Sequence, residues 1–355
     1  MKNCMIFLFL FILFLTSLPQ TILPCTTFRL DHGDQPLVGK NYDWGVDDGL
    51  VIINKRGVKK TAMSLNEDFG QPAKWTSKYG SITFNQYGRE MPMGGMNETG
   101  LVVEMMMLRE TQYPADDSRP SISNLQWIQY QLDNFSTVKE VISSDSKVRI
   151  YSGNTGLHYM ACDKMGNCAS IEFIGGKLVY HINETMLVKV LTNSTYSECI
   201  EYYKQGKIPE LDIYRSVERF IKAAAIVKNY DPKGSTSAVD YAFDVLKKVK
   251  NPERTQWSIV YDIQNFYVYF RTLTKQKIRY FDLNSFDFSC ATPVKVLDIN
   301  ADLSGNVTDN FIDYTRRINR NLIGNAYKKT SYLMFVPDDV IDSRSRYPES
   351  TICNY

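Results

Sequence analysis

Apolar and polar positions alternate in short runs along the front of this chain. Thr26 to Leu30, Pro36 to Tyr42, Leu50 to Asn54, Ser81 to Gln86 and Leu101 to Leu108 each read as a strand, because a period of two lays one row of side chains on a buried face. Turn-forming stretches (HGD, DDG, GREMPMGG) separate them. The period then lengthens. Ser121 to Phe135, introduced by Pro120, puts Ile122, Leu125, Ile128 and Leu132 on one helical face, and Thr137 to Ile142 predicts a second helix. Strands return at Leu157 to Ala161, Ser170 to Phe173, Lys177 to His181 and Met186 to Leu191. Two helices follow, over Tyr214 to Lys228, burying Val217, Phe220, Ile221 and Ala224, and over Ser237 to Val249. A last sheet block reads WSIVYD, NFYVYFRT and IRYFDL.

Strands, helices, strands, helices, strands: this order predicts an α+β fold of antiparallel sheets with helices outside, not regular βαβ alternation. No repeat or linker divides the chain, so one domain is expected over 25–300. Residues 301–355 lose the pattern. They read as a peripheral extension with one helix from Asn310 to Leu322 and an apolar patch, YLMFVP.

The first residues carry different information. Lys2 precedes an unbroken apolar block, Met5 to Leu15, and then a polar, proline-containing stretch, TSLPQTILP. That is the outline of a secretory signal, and the block is shorter than the ~20 residues a membrane span needs. Residues 1–24 are therefore expected to be removed as signal or propeptide, giving a secreted or periplasmic protein without a stable membrane anchor. Charge adds little: 41 basic and 39 acidic residues give a net charge of +2, which argues against nucleic acid as a partner.

Cleavage before Cys25 would leave a thiol and a free α-amino group on one residue. The thiol is nucleophilic only as thiolate, with an ordinary pKa of ~8.5, whereas an α-amino group titrates at ~7.7–8.0 and can take up its proton. Nucleophile and general base then coincide, and no histidine is required. The chain has three, His32, His158 and His181, scattered without zinc-ligand spacing, so no metal or other cofactor is expected. Of seven cysteines, Cys4 belongs to the leader. Cys162 and Cys168 flank the turn DKMGN, where facing strand positions meet disulfide geometry. Cys290 with Cys353 would tie the tail to the domain.

Acyl transfer also needs a group to orient the amine, a cation near sulfur and donors for an oxyanion. Asp43 (in GKNYDW), Lys40 on the same strand, Asn97 (GGMNETG), Asn193 (LTNSTY) and Arg219 (RSVERF) could supply these. Each alone reads equally as a turn or surface residue. Tyr42, Trp44, Met105 and Met107 could line an apolar acyl pocket, or simply pack a buried strand.

Their order along the chain carries more. CTTF, GKNYDW, KWTSKYGS followed by GGMNETGL, LTNSTY, RSVERFIKAA and ERTQWSIVYD, up to FDLNSFDF, resemble the penicillin V acylase and choloylglycine (bile-salt) hydrolase family, linear-amide hydrolases of the N-terminal-nucleophile class. The resemblance implies a four-layer αββα sandwich, a small-molecule N-acyl amide as substrate and a homotetramer. Carried over residue by residue, Cys25 is nucleophile and base, Asp43 orients its amine, Asn193 and Asn97 form the oxyanion hole, and Arg219 tunes charge at the thiol. One position departs. The family usually has arginine where Lys40 stands, and lysine keeps the charge without the planar fork.

Other readings use the same residues. A lipoprotein would acylate Cys25 on sulfur and nitrogen, but Leu23 and Pro24 are not the small residues that processing wants. A papain-like Cys–His pair or a non-catalytic binding module on the same fold also fits. DINADLSGNVTD has oxygen ligands at calcium-loop offsets, but its glycine falls two places late.

Overall fold

The structure, a computed structural model, describes residues 25–31, 33, 35–64, 66–206, 215–234 and 236–354. The leader with Cys4, His32 and Tyr214 lie outside the described residues. Two large sheets dominate. Their strands are β1 (Thr26–Leu30), β2 (Leu37–Asp43), β3 (Leu50–Asn54), β4 (Ser81–Asn85), β5 (Pro92–Asn97), β6 (Val102–Met107), β7 (Leu157–Cys162) and β8 (Cys168–Ile174). They continue with β9 (Lys177–Ile182), β10 (Val190–Leu191), β11 (Thr255–Asp262), β12 (Tyr267–Thr272), β13 (Arg279–Asp282), β14 (Lys295–Asp298), β15 (Gly305–Asn306) and β16 (Ile312–Asp313). One sheet runs β10-β1-β2-β11-β12-β13-β15 and the other β9-β8-β7-β6-β5-β4-β3-β14-β16. Pairing in both is antiparallel apart from the short β13–β15 edge.

Helices cover the outer faces. α1 (Asn124–Asn134) lies on β5 and β6, and α2 (Val138–Ser143) lies on β7 and β8. α4 (Arg215–Lys228) and α5 (Ala238–Val249) lie on β1 and β2, with α3 (Tyr196–Gln205) against α4. The result is an αββα sandwich. Between the sheets Phe84 of β4 meets Trp257, Tyr261 and Phe270 of the opposite sheet, each ring edge-on or tilted. Polar groups also cross this dry layer. Lys40 of β2 reaches Glu104 of β6 at 3.8 Å, both side chains at most 2 % exposed, and the Tyr261 hydroxyl donates to Glu104 at 2.5 Å. Room for that carboxylate comes from Gly94, directly opposite Glu104 in the β5–β6 register: a Cβ there would collide with it.

Most predicted elements appear within a residue or two. Ile122 is an exception, sitting in a two-residue bridge before α1, not on it. Ile221 is only half-buried on α4, while Val217, Phe220 and Ala224 are core residues. The strand expected from Met186 to Leu191 shrinks to Val190–Leu191: residues 186–189 are irregular, and the Val188 N–H donates to the Tyr196 hydroxyl instead of a neighbouring strand. α3 was not expected. Its signal is in the sequence: Thr195 caps the Glu198 amide, a Thr-x-x-Glu start.

Both cysteine pairs form: Cys162–Cys168 joins directly opposed positions of β7 and β8, and Cys290–Cys353 ties down the tail. The tail's first helix is α6 (Arg316–Lys329), later than the expected Asn310 to Leu322, because Thr315 provides the N-cap for Ile318. α7 (Asp338–Arg346) follows. Ile323, Tyr327 and Ile341 make a small core of their own, against which Tyr87 packs. The calcium-like segment is a polar turn, with Asp298 capping Asn300 and Lys275 paired to Asp302 at 2.9 Å.

Replacing Gly94 by alanine should displace Glu104 and cost ~1–3 kcal/mol as an overpacked core substitution. The urea midpoint at constant slope measures it, and an unchanged midpoint would show that Glu104 has somewhere else to go.

Candidate active site

Cys25 opens β1, and the β1–β2 register pairs Thr26 with Asn41 and Thr27 with Lys40. One step further along, that register sets Cys25 beside Tyr42 and next to Asp43. The Cys25 thiol, 3 % exposed, donates to the Asp43 carbonyl at 3.8 Å. Burial raises its pKa above the ordinary thiol value, and the positive charges of Lys40 and Arg219 work against that rise.

Asp43 ends β2 where the β2–β11 ladder slips between Thr255 and Trp257. Such a bulge re-aims the last side chain of a strand. The Asp43 side chain is fully buried, and among the described residues neither oxygen has a hydrogen-bond partner. The Thr255 hydroxyl lies close enough to favour the anion but outside hydrogen-bond geometry. Burial outweighs it, together with Arg219 and Lys40, and pushes the carboxyl up to about 7. A buried polar group left unpaired is costly. This one adjoins the residue whose amine was expected to need a carboxylate.

Asn193 and Arg219 converge on the same place. Arg219 of α4 donates to the Asn193 side-chain oxygen at 3.0 Å and to the Cys25 carbonyl at 3.4 Å. One Asn193 amide N–H goes to Met107 O at 2.9 Å. The segment carrying Asn193 is pinned from three sides: its N–H donates to Ser216 Oγ, Thr192 Oγ1 donates to Ser216 O, and His158 bonds the Thr192 carbonyl at 2.6 Å. Sequence reasoning missed Ser216 and His158 as supports. His158 is fully buried, and its other ring nitrogen meets Glu172 at 3.0 Å, which removes it as a papain-like partner for Cys25.

Asn97 does not join them. Its amide donates to Leu132 O and Phe135 O at 2.9 and 2.7 Å, its oxygen accepts from Thr99 and Leu101, and its backbone N–H goes to Leu101 O. It sits at the far end of β5 from Met93, the residue of that strand that lines the cysteine pocket. Its two amide N–H groups bind this strand end to the end of α1, and its backbone N–H closes the β5–β6 turn. The assignment of Asn97 to an oxyanion hole is therefore corrected to a structural one.

Lys40 lies near the thiol but its ammonium is committed to Glu104 and to Met105 O. Glu104 itself is pushed up to about 7 by burial, opposed by Lys40 and Tyr261. The charge at Lys40 thus comes with its own counter-charge in the layer between the sheets.

The cavity around Cys25, about 90 Å³, is lined by Tyr42, Asp43, Trp44, Met105 and Met107 from the expected set. Tyr42 is held by stacking on Trp257 at 4.5 Å and by a bond to Gln86. Met93, Leu125, Leu157, Tyr87 and Tyr332 complete the wall. Tyr332 belongs to the tail read as peripheral; a chain of bonds from Trp44 Nε1 to Tyr87 OH to Thr330 secures that contact. Among the described residues no cluster of His, Cys, Asp or Glu could hold a metal ion, and no helix is long and apolar enough to cross a membrane.

The family model described as linear amide C–N hydrolases, choloylglycine hydrolase family, matches residues 25–210, starting at Cys25. The chain belongs to that family. Penicillin V acylase of Pectobacterium atrosepticum is 28% identical over 319 residues, 75% of this chain and 83% of the relative. Among solved structures, penicillin V acylase from Agrobacterium tumefaciens superposes with a TM-score of 0.70 at 27% identity, covering 82% of this chain and 98% of the other. A variant (R18L) of conjugated bile acid hydrolase from Clostridium perfringens shares the fold, at TM-score 0.64, 22% identity, and coverage of 79% and 98%. As a member of the family this protein is a linear-amide hydrolase with the αββα sandwich.

The raised carboxyls make a prediction about the unprocessed chain. Asp43 and Glu104, at about 7 in the fold, bind a proton more tightly than in the unfolded chain, where they titrate near ~4. Their contribution is present at low pH and is lost as pH rises from ~4 through ~7. Asp43→Asn should flatten part of that decline in urea unfolding measured across the range. Parallel profiles for variant and parent would mean that Asp43 is ionised throughout.

Proposed function

We propose that this hydrolase works as a secreted N-terminal cysteine amidase. Residues 1–24 are removed, and the new Cys25 amine completes the unpaired Asp43 carboxylate. The observation that carries the reading is that carboxylate: buried, without a hydrogen bond among the described residues, and next to Cys25. The family match beginning at Cys25 supports it.

In the reading, the amine takes the thiol proton, and Asp43 stabilises the ammonium that forms. The thiolate attacks the amide carbon and forms a carbon–sulfur bond. The carbonyl oxygen takes up the electron pair, and in this reading the second amide N–H of Asn193 donates to it. Collapse of this adduct breaks the carbon–nitrogen bond, and the ammonium returns its proton to the departing amine. Water, deprotonated by the same amine, then hydrolyses the thioester and restores the thiol.

The substrate is a small N-acyl amide whose acyl group fills the pocket of Met93, Met105, Met107, Leu125 and Leu157. Methionine's unbranched thioether adapts to irregular shapes, which suits an acyl group of mixed outline. The relatives' names point to penicillin V and conjugated bile acids as the first amides to try.

Cys25→Ser should fold with an unchanged melting temperature and lose turnover on every acyl amide that the parent cleaves. Asn193→Ala should lower kcat by ~10²–10³. Asn97→Ala should instead lower stability by several kcal/mol, because at least ~1–3 kcal/mol attends each buried partner it abandons, with kcat kept in the folded fraction. A Cys25→Ser enzyme with parental rates would sink the reading, and a catalytic loss confined to Asn97→Ala would reverse the two asparagine roles.

A further inference from the structure

The cysteine pocket opens onto a second chamber. Tyr87, Leu125, Thr155 and Tyr332 line both, and the second cavity measures about 290 Å³. Much of its wall comes from the C-terminal segment: Ile323, Tyr327, Leu333, Arg344 and Tyr347. That segment is fixed in place by the Ile323–Tyr327–Ile341 core, by Cys290–Cys353, and by Lys329 bridging Asp47 and Asp48.

The chamber has a one-signed charge. Arg89 and Arg344 line it, and no aspartate or glutamate does among the described residues. The Arg89 side chain is 10 % exposed, and its buried Nε has no hydrogen-bond partner among the described residues. Glu90 lies 3.6 Å from that nitrogen, outside hydrogen-bond reach, and its other oxygen is bound by Lys60 at 2.6 Å. The Tyr314 ring covers the guanidinium at 5.0 Å. Arg344 donates to the Tyr327 hydroxyl and lies over the same ring. A guanidinium has five N–H donors, and buried cations demand partners.

We propose that this chamber is a subsite for an anionic group on the substrate, a carboxylate, sulfonate or phosphate, carried on the part of the amide that leaves the cysteine pocket past Tyr332. The proposal rests on the reading that Cys25 cleaves N-acyl amides in the adjoining pocket. Arginine suits the task because its planar fork grips two oxygens of such a group at once. The C-terminal segment then sets specificity, since Arg344, Tyr327 and Tyr332 line the chamber together with Ile323, Leu333 and Tyr347. A neutral amide of the same shape would enter it and leave the Arg344 guanidinium, which has no ion-pair partner among the described residues, without a counter-charge, while Arg89 keeps only its loose pairing with Glu90.

The test uses the processed enzyme and two matched substrate pairs. One pair is an N-acylglycine and its neutral glycinamide; the other is an ω-carboxyacyl amide of a neutral amine and its methyl ester. The expected result is a preference of ~10-fold or more in kcat/KM for the anionic member of one pair, expressed in KM, as a charge-assisted hydrogen bond supplies. The pair that shows it identifies the half of the substrate that carries the charge. Arg344→Gln should abolish the preference, raising KM for the anionic member more than for the neutral one, and Arg344→Lys should keep part of it. Hydrolysis without charge preference in either pair, or an Arg344→Gln loss shared equally by charged and neutral members, overturns the subsite. If the wild type cleaves none of the four, the amidase reading is what fails. The subsite is then judged by binding alone: N-acylglycine must raise the melting temperature of the wild type and not of Arg344→Gln.

Discussion

A buried carboxyl with no hydrogen bond among the described residues is the constraint around which this site is built. Asp43 is placed by the end of β2, by the bulge opposite it and by the β1–β2 register, and all three would need to change together to move it. Burial drives its carboxyl toward the neutral form, and only the charges of Arg219 and Lys40 and the nearby Thr255 hydroxyl oppose that. An ammonium arriving beside it would remove the cost of burial and gain a partner in a medium of low dielectric, where such a pair is strong. Processing, on the proposed reading, converts an expense of folding into a positioned base.

The same dry layer explains why the cations nearby are not equivalent. Lys40 spans from one sheet to the other and is neutralised there by Glu104, which Gly94 makes room for and Tyr261 bonds. Arg219 comes from the helix layer and touches Asn193 and the Cys25 backbone directly. A lysine suffices in the first place, since its two acceptors, Glu104 and Met105 O, are neighbours on β6 that one ammonium can meet. The second place needs the fork, because two acceptors from different segments are held at once.

The fold was largely legible because the core strands, buried on both faces, stand out as short apolar-rich runs between turn signals, and most helices keep an apolar stripe. Failures came where a local rule was overridden. Met186 to Leu191 has strand composition, but its first half leaves the ladder and is held by the Tyr196 hydroxyl at Val188. The tail looked peripheral because its apolar residues, Ile323, Tyr327 and Ile341, are spread over two helices, and they form a core only when those helices fold on each other. Cys25 and Asp43 could be found from chemistry and motif order. Asn97 could not be excluded that way: a motif places an asparagine at a strand end, but only the geometry shows the carbonyls of Leu132 and Phe135 taking its donors. Tyr332 showed only as the first residue of the apolar patch YLMFVP, with nothing to tie that patch to the cysteine motifs.

The most direct measurement compares two purified chains differing by one residue at the front, one beginning at Cys25 and one retaining Pro24, assayed on the same acyl amide. Both should fold to the same melting behaviour, and only the chain with a free Cys25 amine should turn over substrate, with a pH–rate limb in the α-amino range near ~7.7–8.0. Equal rates from the two chains would show that neither the amine nor its carboxylate partner takes part in the chemistry.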